Sequence, residues 1–260
     1  MNPLPRLMVA PNGARLTKVD HPALPVTLPE IVTCAVACHK AGADGLHAHV
    51  RDSDGHHVLD AGLYAELLAE LSHQTPRLQV QITTEAVGRY RPDEQRRLVT
   101  TLRPQMVSIA LREITTEPDP RVTRHFFAFC ADAGIAVQHI LYDEGDVKQL
   151  GALVSASVVP RGALQVLHVL GRYTSGQISA PADLDAPIKA QFGLGLSADW
   201  AACAFGPQET DCLCAALRQG GKVRIGFENS FMMRDGSIAR DNAQRVTEMV
   251  AELQLAKRAG

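Results

Sequence analysis

The segment Gly45-Leu46-His47-Ala48-His49-Val50 decides how the rest of the chain is read. It is a short, mostly apolar run that predicts a strand over 45–50, and the turn-forming Asp52-Ser53-Asp54-Gly55 follows it. On a strand, residues two apart leave the same face, so His47 and His49 point the same way near the C-terminal end. Amphipathic segments flank the run and predict helices over 29–41 and 61–73. Pro29 suits a first helical turn after Thr27, and Gly42 suits the left-handed residue that ends a helix.

The alternation continues in both directions. Further strands are predicted at 6–10, 78–83, 106–110, 135–141, 164–170, 198–204 and 222–227, and further helices at 93–102, 120–132, 144–153, 182–191, 207–219 and 241–256. Gly134 and Gly220 follow two of these helices. Eight strand–helix units in 260 residues predict a (β/α)8 TIM barrel formed by one domain, residues 1–260. An open doubly wound sheet would show a glycine-rich phosphate loop in its first turn, and neither GxGxxG nor GxxxxGK[ST] is present. Barrel enzymes build their active sites at the C-terminal ends of the strands, which is where His47 and His49 fall.

Composition narrows the function. With 26 Lys+Arg against 28 Asp+Glu and 46% hydrophobic residues, the chain has the balance of a globular protein, not of a disordered or collagen-like one. A net charge of −2 gives no basic field for nucleic acid or anionic membrane, so a small-molecule partner is expected. Cys34, Cys38, Cys130, Cys203, Cys212 and Cys214 form no CxxC pair, and read as small buried side chains in a reducing compartment. The opening MNPLPRLMVAPNG has too short an apolar run for a signal peptide, and no stretch reaches the ~20 apolar residues of a membrane span. A cytoplasmic location is expected.

Two imidazoles bind zinc or a related divalent metal well, but a catalytic centre typically has a third protein ligand and an open position. Glu228, in VRIGFENS just past the eighth predicted strand, lies on the same rim, because strands eight and two are separated only by strand one in a closed barrel. Two histidines and a carboxylate would make a facial site with room for substrate. The HxH pair taken alone fits two structural histidines equally well. Arg51 shares the face of the histidines and would either orient a ligand carboxylate or close a rim ion pair.

These residues carry a resemblance. APNGARLTK, HPALPVTLPEIV, CHKAGADGLHAHVRDSDGHHVLD, VRIGFENS and the DNAQRV that opens the last predicted helix resemble, in order and spacing, the β-keto acid cleavage enzymes, the family of 3-keto-5-aminohexanoate cleavage enzyme. The middle of the chain, 85–205, matches it weakly. The resemblance implies a zinc-dependent (β/α)8 barrel that exchanges acyl groups between a β-keto acid and acetyl-CoA, yielding acetoacetate and a new acyl-CoA. It implies His47, His49 and Glu228 as metal ligands, Arg224 as the arginine that assists the base or holds an anionic intermediate, and a homotetramer as the assembly. Thr83 stands where the family has a serine, a hydrogen-bonding position for substrate, and Thr84 lies beside it; both also suit ordinary strand positions. A metal bound there would polarise the keto group as a Lewis acid.

Several positions depart from the family. Asn229 stands where the family places a proton-accepting aspartate, and an amide is not a general base near neutral pH. Asp143, Glu144, Glu85 and His139 lie on predicted rim positions as alternative acceptors. Arg15 replaces a glutamate of the founding enzyme, which predicts a second acidic group on the substrate, because a guanidinium matches a carboxylate; a plain surface arginine is the other reading. TTEA at 83–86 replaces a glycine-rich stretch, and the loop after the sixth strand reads GRYTSGQ at 171–177.

Two rival readings separate on geometry. A metal-dependent hydrolase on the same fold would recruit His139 and His168 on strands five and six. A catalytically degenerate barrel would bind a keto acid or acyl-CoA without turnover, which Asn229 favours. A serine nucleophile has no GxSxG elbow to sit on.

Overall fold

Eight short strands close into a ring in chain order, all parallel. They are β1 (Leu7–Val9), β2 (Gly45–Ala48), β3 (Gln79–Thr83), β4 (Met106–Ala110), β5 (Ala136–Leu141), β6 (Gln165–Leu170), β7 (Asp199–Ala204) and β8 (Lys222–Ile225). The ring shuts where β1 pairs with β8, Leu7 opposite Val223 and Val9 opposite Ile225. This computed structural model describes residues 3–259, with side chains through residue 255. The ends of the predicted domain, residues 1–2 and 260, lie outside the described residues.

The helices are α1 (Leu28–Ala41), α2 (Ala61–Gln74), α3 (Pro92–Leu102), α4 (Leu111–Ile114), α5 (Pro120–Asp132), α6 (Glu144–Ser155), α7 (Asp185–Gly193), α8 (Glu209–Arg218) and α9 (Asn242–Ala259). Their starts follow capping chemistry. Glu30 turns back to accept from the backbone N–H groups of Val26 and Thr27, both at 3.0 Å, while Asp60 and Asp143 cap α2 and α6 through their own carboxylates. Gly42 ends α1 at φ +112°, a conformation in which a Cβ is strained.

Apolar residues divide between two layers. The larger fills the space between strands and helices, with Leu46, Leu67, Ile82, Val107, Leu150 and Val246 buried in it. The smaller plugs the barrel interior with Met106, Ile140, Leu167, Val169 and Cys203. Polar side chains interrupt this plug, with His47, Gln81, Gln138 and Arg224 all buried. A branched apolar core is the norm inside such barrels, and two of these polar side chains, His47 and Arg224, line a cavity at the end of the barrel where chemistry is built.

Several expected boundaries shift by a residue or more, and three of the shifts change the local structure. β2 stops at Ala48 and not at 50, because the side chain of Asn12 takes over the pairing of the next residues: its Oδ1 accepts from His49 N–H (3.3 Å) and its Nδ2 donates to His49 C=O (2.9 Å). β8 stops at Ile225 because Gly226, at φ +141°, turns the chain. The helix expected at 182–191 is a 3-10 turn, Pro181–Leu184, followed by α7 from Asp185. The four-residue α4 is too short to show a periodicity in sequence. Among the described residues no helix is long and apolar enough to cross a membrane.

Candidate metal and substrate site

His47 lies on β2 and His49 one residue past its end, and both imidazoles are buried. Their Nε2 atoms face each other at 3.0 Å, and Glu228 Oε2 stands 3.6 Å from the first and 3.5 Å from the second. One donor atom of each residue lies within 4.8 Å of the others. Glu228 Oε2 has no hydrogen-bond partner, nor does His49 Nδ1. A buried carboxylate oxygen without a donor is costly, and with the two imidazole Nε2 atoms converging beside it the three make the donor set a divalent cation satisfies. Burial, helped by the Arg224 charge, pushes the His47 pKa well down and keeps the ring neutral, the form that ligates. Burial alone would raise Glu228, but the adjacent Arg224 guanidinium and the two imidazoles hold its carboxyl well below the usual carboxylate range.

Glu228 is placed by backbone anchors around the β8–β1 seam. Its N–H donates to Ala10 C=O (3.0 Å) and the N–H of Phe227 donates to Asn242 Oδ1 (2.9 Å). Asn242 Nδ2 in turn donates to Pro11 C=O (3.0 Å). Gly226 N–H donates to Glu209, whose carboxylate is locked to the fully buried Arg245 at 2.5 Å. Two glycines make room: a Cβ on Gly226 would lie 2.4 Å from Ala10 O, and one on Gly13 would lie 2.7 Å from Glu228 Cγ. Asn242 and Arg245 both belong to the DNAQRV segment.

The donor set opens on a cavity of about 320 Å³ at the C-terminal ends of the strands. Arg224 lines it while buried, and donates from Nη2 to Glu228 Oε1 (3.2 Å) and Cys203 Sγ (3.4 Å). Its Nε and Nη1 groups have no partner, and neither polar atom of the Asn229 amide has one. Guanidinium N–H groups and a free amide facing a cavity beside the donor set form a receptor for an oxyanion.

Arg15 reaches in from the loop after β1 and donates to Glu85 Oε1 at 2.7 Å. Arg172, just past β6, approaches the same oxygen to 3.5 Å and lies over the Phe205 ring. Thr83 lines the cavity, but its Oγ1 accepts from Glu85 N–H (3.0 Å). Three sequence candidates lie elsewhere. Thr84 donates its hydroxyl to Ser108 C=O behind the wall. Asp143 caps α6 and pairs with Arg112 at 2.8 Å, so its carboxylate is occupied away from the cavity. Arg51 is buried with its guanidinium on the carbonyls of Gly13, Leu16 and Gly55, where it clamps the loop that carries Arg15. His139 packs against Phe127 of α5, and His168 bonds Gln191 of α7, so the extra ligands that a hydrolase would need face the helices.

The sequence reading missed Arg172, Tyr142 and Gln177, all of which line the cavity. Arg172 and Gln177 belong to the GRYTSGQ loop, and their position just after a strand end is the signal that marks them. Burial pushes the Tyr142 phenol well up, so it stays a hydrogen-bond donor.

The family model for β-keto acid cleavage enzymes matches residues 6–259. The chain is 26% identical over 256 residues to the 3-keto-5-aminohexanoate cleavage enzyme of Fusobacterium nucleatum, covering 95% of this chain and 89% of that one. It is 25% identical to the 3-oxoadipate:acetyl-CoA acetyltransferase of Cupriavidus necator, covering 94% and 87%. Among solved structures, a ternary complex of ObcA with a C4-CoA adduct and oxalate superimposes with a TM-score of 0.71 at 14% identity, covering 92% of this chain. This chain spans 65% of that protein's length, and the likeness shows the barrel fold.

Proposed function

Because the chain belongs to the β-keto acid cleavage enzyme family, we propose that it exchanges acyl groups between a β-keto acid and acetyl-CoA, with His47, His49 and Glu228 holding a zinc ion. The bond between the keto carbon and the α-carbon of R–CO–CH2–COO⁻ breaks. The R–CO unit ends on the CoA sulfur, the acetyl group ends on the CH2–COO⁻ unit, and acetoacetate and R–CO–CoA leave. The named relatives support this reading, since one is an acetyl-CoA acetyltransferase of a β-keto acid. A bound divalent cation would supply Lewis-acid polarisation of the substrate's keto and carboxylate oxygens.

The single observation that carries the proposal is the convergence of His47, His49 and Glu228, whose Oε2 has no hydrogen-bond partner, beside the unpartnered N–H groups of Arg224. Arg224 would hold the substrate carboxylate or the enolate charge as it develops. Asn229 would add a hydrogen bond at that place; as an amide it takes no proton. At the mouth, Arg15 and Arg172 both engage Glu85, and a second carboxylate on the substrate would compete for them. A β-keto diacid is therefore the favoured substrate class. Six free cysteines fit a reducing cytoplasm, and the family resemblance supports a homo-oligomer.

The test is to load purified protein with zinc, offer β-keto acids with neutral, amino and carboxylate tails together with acetyl-CoA, and detect acetoacetate and the new thioester by mass spectrometry. The proposal expects both products in equal amounts, fastest with the carboxylate tail and lost after chelation. Thioester hydrolysis without acetoacetate would sink it.

A further inference from the structure

Two glutamines occupy positions inside the barrel where an apolar side chain would be stable without any partner. Gln81 on β3 and Gln138 on β5 are both fully enclosed. A buried amide left unsatisfied costs about 1–3 kcal/mol, so a pair of them in a core requires an account. Their bonds form one chain that runs from β6 to the metal side. Gln138 Nε2 lies 3.2 Å from Val166 C=O, Gln81 Nε2 lies 3.0 Å from Gln138 Oε1, and His47 Nδ1 lies 2.8 Å from Gln81 Oε1.

The direction of this chain is fixed at its far end. A backbone carbonyl only accepts, so Gln138 must present its NH2 group to Val166 and its oxygen to Gln81. Gln81 must then present its NH2 group to Gln138 and its oxygen to His47. An amide oxygen only accepts, which leaves His47 to donate from Nδ1. A neutral imidazole protonated at Nδ1 carries its lone pair on Nε2, the atom that faces His49 and Glu228.

We infer that Gln81 and Gln138 form a directional amide relay that selects the Nδ1–H form of His47 and so presets its Nε2 as a ligand; this rests on reading His47 as a metal-binding residue. They are positioning residues, since neither lines the cavity. His49 has no such support, because its Nδ1 is without a partner. In the metal-free protein its Nε2–H donates to His47 Nε2, so His49 changes tautomer when a metal binds and His47 does not.

Protein labelled with 15N at its ten histidines gives the first readout, a long-range 1H–15N spectrum in which His47 is the signal lost in His47→Gln. The expected result is an Nδ1–H tautomer of His47 in metal-free protein, unchanged on adding zinc, while one other histidine switches. Zinc affinity by competition with a chromophoric chelator gives the second. Gln81→Met should weaken it by about 10–100-fold, the usual loss on removing the partner behind a metal-binding histidine. Gln81→Glu, which still accepts from Nδ1, should restore it to within a few-fold of wild type, and Gln138→Met should fall between. A merely structural role would lower the melting temperature of Gln81→Met and Gln81→Glu alike and leave the zinc affinity of folded protein unchanged. An Nε2–H His47 in wild-type protein overturns the relay whether or not Gln81→Met folds. Wild-type protein that takes up no zinc overturns the metal reading instead, and the metal-free spectrum still decides the relay.

Discussion

The two sides of the cavity are built differently. On the side of β8, β1 and β2, Glu228 and the histidines are held by Asn12, Arg51, Asn242, Glu209 and Arg245, all buried and mostly bonded to backbone. On the side of β3 and β6, Glu85, Arg15 and Arg172 are tied chiefly to one another, and the Arg15 side chain is 53% exposed. Backbone anchors in a buried frame fix a position to fractions of an ångström, whereas rim ion pairs contribute about 0–1 kcal/mol and exchange readily. The His47–His49–Glu228 side is therefore set by the fold, and the mouth can be re-specified without disturbing it.

The largest effect tests the fixed side directly. His47→Ala and Glu228→Gln should each lose metal by more than about a hundredfold in affinity, beyond the loss of a supporting partner, with turnover falling in parallel. Metal content by plasma mass spectrometry beside acetoacetate release checks it. Next comes the frame: Glu209→Gln takes the fully buried carboxylate from Arg245 and leaves that guanidinium only Glu248 at 2.8 Å, a change that costs about 1.5–3 kcal/mol. Calorimetry should show a melting temperature lower by roughly 5 °C for a chain of this size. An unchanged melting temperature would mean that the pair does not hold the β8 turn. On the adjustable side, Arg15→Ala or Arg172→Ala should shift the kcat/KM ratio of diacid to neutral β-keto acids about tenfold, or roughly 1.4 kcal/mol, with the melting temperature unmoved. A thermal loss as large as that of Glu209→Gln would erase the distinction between the two sides.

The smallest effect lies outside both sides. Burial pushes His139 down to about 4, below its ordinary 6.5. As pH falls below 6.5 the unfolded chain binds a proton that the folded chain refuses, so stability present at neutral pH is lost progressively until about pH 4. Melting temperatures between pH 7.5 and 5.5 should drop by the equivalent of about 1 kcal/mol less in His139→Leu than in wild type.

The barrel was legible because its signal is local and repeated: apolar runs such as MVSIA and LQVLHVL alternate with capped amphipathic segments. The convergence of His47, His49 and Glu228 was legible once the ring was assumed, because a closed barrel makes strands eight and two near neighbours. The rest depended on side-chain direction. Arg51 shares a face with the histidines in sequence, yet its length lets it reach back to three loop carbonyls. Asp143 follows a strand end, but an aspartate before a helix is drawn to the free N–H groups there, and it caps α6. Gln81 and Gln138 stand 57 residues apart, and nothing in their local sequence shows that they bond.

The three converging residues come from distant parts of the chain, His47 and His49 on the second strand segment and Glu228 after the eighth, across the seam where β8 meets β1. During synthesis the two histidines emerge long before their carboxylate partner, and nearly the whole barrel must be made before the third ligand exists. On the proposed reading of this site, metal acquisition is thus a finishing step of biogenesis. A truncated or stalled chain offers no complete site, and a bound ion reports that the ring has closed.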